Sequence, residues 1–300
     1  MINHREFPNA SGKQVVLNLN GKTYSESSYY NGDLHGELKF YFYDGRVNTV
    51  QYYKHGIQDS IYRSYYVNGK MATEGQYKWG NRSGTWKSYY NSGVVSAVES
   101  YSFGELNGKK FTYYENGKLD SETEMYSGDR HGIMKRFDES GNLAYQLRYE
   151  YDLPVAYSYF DKTGKLVPEI PIPGGTGTVK TYFSNGNVSA QFTFKDGKTY
   201  GDNLYYHFNG KLRISSKDSC SVTNGPYKTY YANGQLKNDY PFLYDNLHGF
   251  YKEYSEKGVL LEEGYYYNGN AHDQTKIYDE TGKLKETRIY YYGKLIDIKK

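Results

Sequence analysis

The side chains of this sequence that could do chemistry are few, and their spacing argues against most of it. Cys220 is the sole cysteine, which rules out an internal disulfide and a cysteine-based zinc site. No histidine lies within ten residues to activate its thiol, and no Gly-x-Ser-x-Gly turn presents a serine nucleophile. Of the seven histidines, none is spaced His-x-x-x-His as a helical zinc pair requires. The Asp and Glu residues form no pair suited to a glycosidase dyad. Gly174-Gly175-Thr176-Gly177 has neither the lysine nor the following helix of a phosphate loop. No catalytic, cofactor-binding or metal-ligating residue is therefore expected, and the role should be non-enzymatic.

What remains is a set of basic and aromatic side chains in register with glycine. Marker glycines stand at Gly21, Gly45, Gly69, Gly93, Gly117, Gly141, Gly164, Gly186, Gly210, Gly234, Gly258 and Gly282; nine of the eleven intervals are 24 residues, the others 23 and 22. Six residues before the marker come Lys39, Arg63, Lys87, Lys135, Lys180, Lys228, Lys252 and Lys276. Stacked repeats would align these bases about 10 Å apart. Such a stripe could meet an acidic protein, anionic headgroups or a nucleic-acid backbone. The plainer reading is that they solubilise a sheet edge and lay their stems on tyrosine rings. Three residues before the marker come Phe42, Tyr66, Tyr90, Tyr114, Phe183 and Tyr231, a row expected to face solvent or a groove and so to bind. It is interrupted by Asp138 and Asp161. His35, His131, His248 and His272 all stand ten before the marker, a place in the repeat where a structural role is expected.

The elements that position these residues follow from the same register. Four before the marker the residue is aromatic from Tyr41 to Tyr278, and two after it aliphatic or Met from Val47 to Leu284. Each unit reads as two short strands and two turns. Asn-Gly at Asn68, Asn116, Asn185, Asn209 and Asn233 predicts a tight type I′ turn at the marker. Paired glycines such as Gly32 with Gly36, and Gly104 with Gly108, predict a looser return turn. No window carries a helical apolar period. With 40 Tyr and 33 Gly but few aliphatics, tyrosine must supply the buried area. One hairpin is marginal alone and stacking lets neighbours cover each other. The expected fold is all-β, an elongated solenoid of about eleven stacked β-hairpin repeats of 24 residues. One conflict is visible already. The base and the aromatic two residues later share a face of any unbroken strand, so either a bulge intervenes or the tyrosine row is not fully buried.

The unit Gly-x-x-x-x-aromatic-aromatic-x-Asn-Gly-x-Leu, shown by Gly84–Val95 and Gly225–Leu236 with Tyr29–Gly36 as its upstream part, resembles the MORN repeat in its bacterial variant form. Chains built wholly of such repeats resemble the YwqK family, which carries an antitoxin label. The resemblance covers roughly residues 27–295. It implies a fold of stacked hairpins and a scaffold that associates with protein or lipid, or neutralises a partner toxin. The pattern fades over residues 149–178 and at Ser219-Cys220-Ser221-Val222. Residues Tyr65–Gly75 also look like the repeats of choline- and glucan-binding proteins, although those are shorter and depend on Trp, of which only Trp79 and Trp86 are present.

Residues 1–26 are expected to form an atypical unit and cap, 27–167 an N-terminal repeat array, 168–178 a Pro/Gly joint and 179–300 a C-terminal array with its cap. Pro168, Pro171 and Pro173 cannot donate to a ladder, so strand pairing should lapse there. A net charge of +3 does not suggest nucleic acid as a specific partner. No apolar stretch is long enough for a membrane span, and Met1–Arg5 lacks an apolar signal core. Cytoplasmic is the default location, secreted or surface if a leader was removed. The expected function is a non-catalytic protein-interaction scaffold, antitoxin- or immunity-like, with a glycan or an anionic lipid surface as the alternative partner.

Overall fold

Runs of β-branched and aromatic residues closed off by glycine should form strands, and they do. The computed structural model describes residues 2–5 and 10–300, with side chains from residue 10 onward, so part of the expected N-terminal cap lies outside the described residues. The strands of the described ladders all pair antiparallel, with turns between them. A 3-10 turn lies at Pro173–Gly175. No helix among the described residues is long and apolar enough to cross a membrane. The chain divides into two units, residues 1–141 and 142–300.

In the first unit consecutive strands pair as hairpins: Asp33–Tyr41 with Val47–Lys54, Ile57–Tyr65 with Met71–Lys78, Asn81–Tyr89 with Val95–Ser102, and Gly108–Tyr113 with Leu119–Tyr126. In each, the aromatic before the marker stands directly opposite the aliphatic after it: Tyr41 faces Val47, Tyr65 faces Met71, Tyr89 faces Val95. The pair recurs in sequence because it closes the hairpin.

The turns are the reverse of the expectation. At the marker, Gly69 N–H donates to Tyr66 O and Tyr66 N–H to Lys70 O, each at 2.8 Å. Only the glycine there is left-handed, with φ of 83°, as in a three-residue loop that ends on a glycine bulge. Asn68 does not share that conformation; its amide has another use, described below. The type I′ turns lie at the opposite ends of the strands, where His55-Gly56 (φ 49° and 75°), Trp79-Gly80 (54° and 78°) and Phe103-Gly104 (51° and 88°) have both central residues left-handed. The second glycine of each pair is not in a turn. Gly84 lies in a bulge, because Glu74 faces Lys87 and Gln76 faces Ser83, leaving Gly84, Thr85 and Trp86 opposite Gly75 alone.

A further register shift falls beside the pre-marker aromatic in every hairpin, between Ser64 and Tyr65 and between Ser88 and Tyr89 for example. The extra residue is on the partner strand, so base and tyrosine do share a face. That tyrosine row is only half-buried. Its hydroxyls donate to carboxylates of the preceding repeat, Tyr41 to Glu26 at 2.9 Å and Tyr89 to Glu74 at 2.6 Å. The other face holds the apolar centre of this unit. Trp86, 2 % exposed, is enclosed by the rings of Tyr62 (5.4 Å), Tyr77 (5.1 Å) and Tyr101 (6.2 Å). Gly75 lies beneath it, and a Cβ there would be 2.2 Å from the indole.

The second unit contains two ladders. Leu143–Glu150 pairs with Leu153–Ser158, which pairs with Ile170–Pro171. A second open ladder starts at Gly177–Tyr182 and Val188–Lys195 and continues hairpin by hairpin to Lys294–Lys299. The expected lapse does not include Pro171, which stands opposite Ala156; ladder pairing stops after it, across Pro173, and resumes at Gly177. Here the fold is two layers thick. Tyr145 meets Phe192 at 5.5 Å, Ser189 Oγ donates to Ala144 O at 2.6 Å, and Leu147, Ile172, Val179, Ala190 and Phe194 are buried between them.

Candidate binding surfaces

The marker turns are stitched to one another. In the first unit Tyr66 Oη donates to Tyr89 O (2.5 Å), Tyr90 to Tyr113 O (2.6 Å) and Tyr114 to Phe137 O (2.7 Å). In the second, Tyr231 donates to Tyr254 O at 2.8 Å, and Phe183, 1 % exposed, packs on Phe208 at 5.3 Å. None of Phe42, Tyr66, Tyr90, Tyr114, Phe183 and Tyr231 is exposed. Of the row expected to face solvent or a groove, Tyr66, Tyr90, Tyr114, Phe183 and Tyr231 lean onto the next repeat. The Asn before the marker belongs to the same stitching. Asn68 Oδ1 accepts the Lys70 N–H within its own turn at 3.0 Å, while its Nδ2 donates to Asn91 O in the next turn at 3.0 Å. Asn209 repeats this with Lys211 N–H (3.0 Å) and Ala232 O (2.7 Å). Where the row switches to aspartate, Asp161 Oδ1 caps its own turn by accepting from Thr163 and Lys165 N–H.

The basic row is real but not uniformly positive. Arg63, Glu74 and Lys87 are directly opposed on three successive strands of the first unit, as are Glu26 with Lys39 and Glu122 with Lys135. In the second unit Lys228, Asp239, Lys252, Glu263 and Lys276 are opposed in one unbroken line. Lys228 reaches Asp239 at 3.2 Å, Lys276 reaches Glu263 at 3.8 Å and Lys135 reaches Glu122 at 3.7 Å, while Lys39 pairs with Glu37 at 2.6 Å. Lys180 faces the neutral Gln191. Hydrogen bonding from Lys109, opposed by partial burial and aided by Lys135, holds the Glu122 carboxyl below the usual carboxylate range. Acids on adjacent strands cancel most of the field at a distance. The signal was present in sequence, since Glu26, Glu74, Glu122, Asp239 and Glu263 all stand five after a marker. Two clefts open along this row, one of 340 Å³ at Arg63, Glu74, Gly75 and Lys87, the other of 640 Å³ at Phe250, Lys252, Glu263, Tyr265 and Lys276.

The histidines ten before the marker serve the tight turns. His35 Nδ1 accepts the His55 N–H at 3.4 Å and His272 Nδ1 the Tyr292 N–H at 3.3 Å, with ring contacts to Tyr30 and Tyr267. His35 and His272 thus brace the backbone of the neighbouring tight turn.

The tight-turn edge of the first unit is where the sequence reading missed a surface. Trp79 is 70 % exposed and Phe103 93 % exposed, both left-handed, in consecutive repeats. Between them is a 270 Å³ cleft lined by Lys78, Arg82, Ser83 and Tyr101. The Arg82 guanidinium lies 4.3 Å from the Trp86 ring centroid and donates to Tyr101 Oη at 3.0 Å. A signal existed. The position fourteen before the marker holds the turn formers Asn31, Ser127, Asp196 and Asn268 in four repeats, whereas Trp79 and Phe103, like His55, Cys220 and Tyr244, depart from what the turn wants.

Six stretches match the MORN repeat variant: residues 58–78, 82–102, 106–126, 130–151, 176–196 and 223–243. The chain carries MORN repeat variants. Each matched MORN stretch begins at or after a tight turn and runs through one marker turn, so the MORN unit is one hairpin plus its bulge. MORN-type repeats of this kind make a repeat-type binding module. No curated protein matches the chain. Among solved structures, that of TcdB2-TccC3-Cdc42 is 14% identical over 92% of this chain and 16% of the other, with a TM-score of 0.16. That of TcdB2-TccC3-TEV is 12% identical over 94% of this chain and 18% of the other, TM-score 0.19. The chain thus spans less than a fifth of the length of these structures.

Proposed function

We propose that this MORN-repeat chain is a non-catalytic protein-interaction scaffold of the antitoxin or immunity type, acting by covering a partner protein. The observation that supports this is the placing of large apolar side chains where folding gains nothing from them. Trp79 and Phe103 in the first unit, and Tyr244 in the second, are exposed and left-handed at tight turns. Bulky residues are disfavoured in that conformation, and exposed aromatics are enriched in protein interfaces. The alternation of base and acid along the broad face weighs against anionic lipid, which needs net positive charge.

The test is affinity capture from the native host followed by size-exclusion chromatography. One protein recovered in stoichiometric amount is the expected result, and repeated recovery of nothing specific removes the reading. The captured protein expressed alone should arrest growth, and co-expression of this chain should restore it. Growth that is never arrested discards the antitoxin half and keeps the scaffold.

A further inference from the structure

We propose that the cleft between Trp79 and Phe103 is the docking site for an acidic protein segment that inserts one large apolar side chain. This rests on the scaffold reading and names where and what it binds.

The argument starts with the cost of the two residues. Type I′ turns favour Asn, Asp and Gly at the first left-handed position, and other repeats of this chain use them, at Asn31, Asp196 and Asn268. Trp79 and Phe103 sit in that conformation with most of each ring in water. Neither stability nor solubility explains them. They also occupy equivalent places in successive repeats, and the turns are joined directly, Gly104 N–H donating to Arg82 O at 3.1 Å. Two rings on joined turns form the walls of one cleft.

The size and lining of the cleft select the occupant. At 270 Å³ it lies just under the roughly 300–1,000 Å³ typical of small-molecule sites. A single side chain anchored by the rest of a protein segment fits better than a free metabolite. The floor is aromatic and polar, with Tyr101 and Ser83. The charged groups lining it are Lys78 and Arg82, with no carboxylate. Arg82 is pre-positioned: its stack on Trp86 and its bonds to the Tyr77 and Tyr101 hydroxyls fix the guanidinium plane. A guanidinium has five donors, so some remain for an incoming carboxylate. Trp, Arg and Tyr around one cleft is the composition of an interface hot spot. Charge complementarity therefore picks an acidic segment, and the ring walls pick its apolar anchor.

The turn chemistry makes the test clean. Asn tolerates the left-handed conformation that Trp and Phe resist, so the double variant Trp79→Asn/Phe103→Asn should keep or raise Tm. The exposed Lys78 supplies a charge probe, Lys78→Glu, that leaves the packed Arg82 alone. The probe ligand is a dye-labelled short peptide with Asp and Glu flanking one Phe, compared with its Lys/Arg permutation by fluorescence anisotropy. Expected are saturable binding of the acidic peptide, protection of Trp79 from iodide quenching, and at least about tenfold weaker binding by Lys78→Glu. The double variant should not bind. Equal binding of the basic permutation overturns the proposal, as does undiminished binding by a folded double variant. So does association with phosphatidylserine vesicles in place of the peptide. Capture of the host partner by the double variant at full yield would remove this site and leave the scaffold reading standing, whereas no capture by the unaltered chain removes both.

Discussion

Trp86 and Phe192 are equally buried, each 2 % exposed, but by different means. Trp86 is covered from within one layer, by tyrosines of adjacent strands, by Arg82, and by the absence of a side chain at Gly75. Phe192 is covered by a second layer, Tyr145 from a ladder 45 or so residues earlier in the chain, together with Ala190, Phe194 and Val179. A single sheet can bury a large ring only if it spends amphipathic residues on the rim, where hydroxyls and guanidinium stay wet. Two facing sheets can use plain hydrocarbon. The difference shows in the residues used: Tyr and Arg ring the indole where one layer must suffice, while Phe, Ala and Val join Tyr145 where two meet.

The largest effect should come from emptying these two centres. Phe192→Ala is expected to cost about 3–5 kcal/mol, because the cavity is closed on both sides and cannot refill. Trp86→Ala should fall at the low end of that range, since water and Tyr77 can enter from the rim. Chemical denaturation of both variants checks this, and a larger loss at Trp86 would break the contrast. Gly75→Ala sharpens it: an added methyl collides with the indole and should cost about 1–3 kcal/mol, a penalty that disappears when Trp86 is first replaced by Leu.

A smaller effect is expected from the stitching that both units share. Asn68→Ala in the first unit and Asn209→Ala in the second each remove one acceptor and one donor across consecutive turns. Each should lower stability by about 1 kcal/mol. Similar losses at both sites would mean that the turn edge is indifferent to whether a second layer lies nearby; a loss confined to one would tie the stitching to the core beneath it.

The smallest effect is on alkaline titration. Burial, and then the hydrogen bond to Glu74, push the Tyr89 hydroxyl up to about 12. The same causes, with Glu262 as acceptor, push Tyr251 higher still. A raised value means the folded state holds the proton more tightly than the unfolded chain. The stability it lends is complete below the ordinary tyrosine value near 10 and is lost as pH climbs through the folded value. Phenolate absorbance in Tyr89→Phe and Tyr251→Phe should therefore lack a step near pH 12 in the first and a later one in the second. The reverse order would contradict the burial assigned to each.

Much of the hairpin was legible. Tyr65 opposite Met71, and Tyr89 opposite Val95, could be read because the partners are six residues apart and joined by a turn of set length. The conflict between base and tyrosine on one face was also legible, and of its two resolutions the second holds: no bulge separates them on their own strand, and the tyrosine row is only half-buried. The candidate site was less so. Whether Tyr66 or Tyr90 faces water depends on a carbonyl 23 residues away, in the next repeat, that a strand pattern does not locate. The Asn-Gly turns were misread for a local reason: Asn suits a left-handed position, but its amide is worth more as a bridge between turns when another turn lies beside it.

The sequence alone determined the period, the antiparallel hairpins and the aromatic–aliphatic pair that closes each one, since these depend on residues close in the chain and on the two-residue alternation of strands. Only the tertiary structure decided which aromatics are spent on the neighbouring repeat, that acids answer the basic row, that Ala144 and Ser189 meet across two layers, and that Trp79 and Phe103 wall one cleft. Those outcomes depend on distances between repeats and layers, and such distances are set by bulges, turn types and packing that no single repeat encodes.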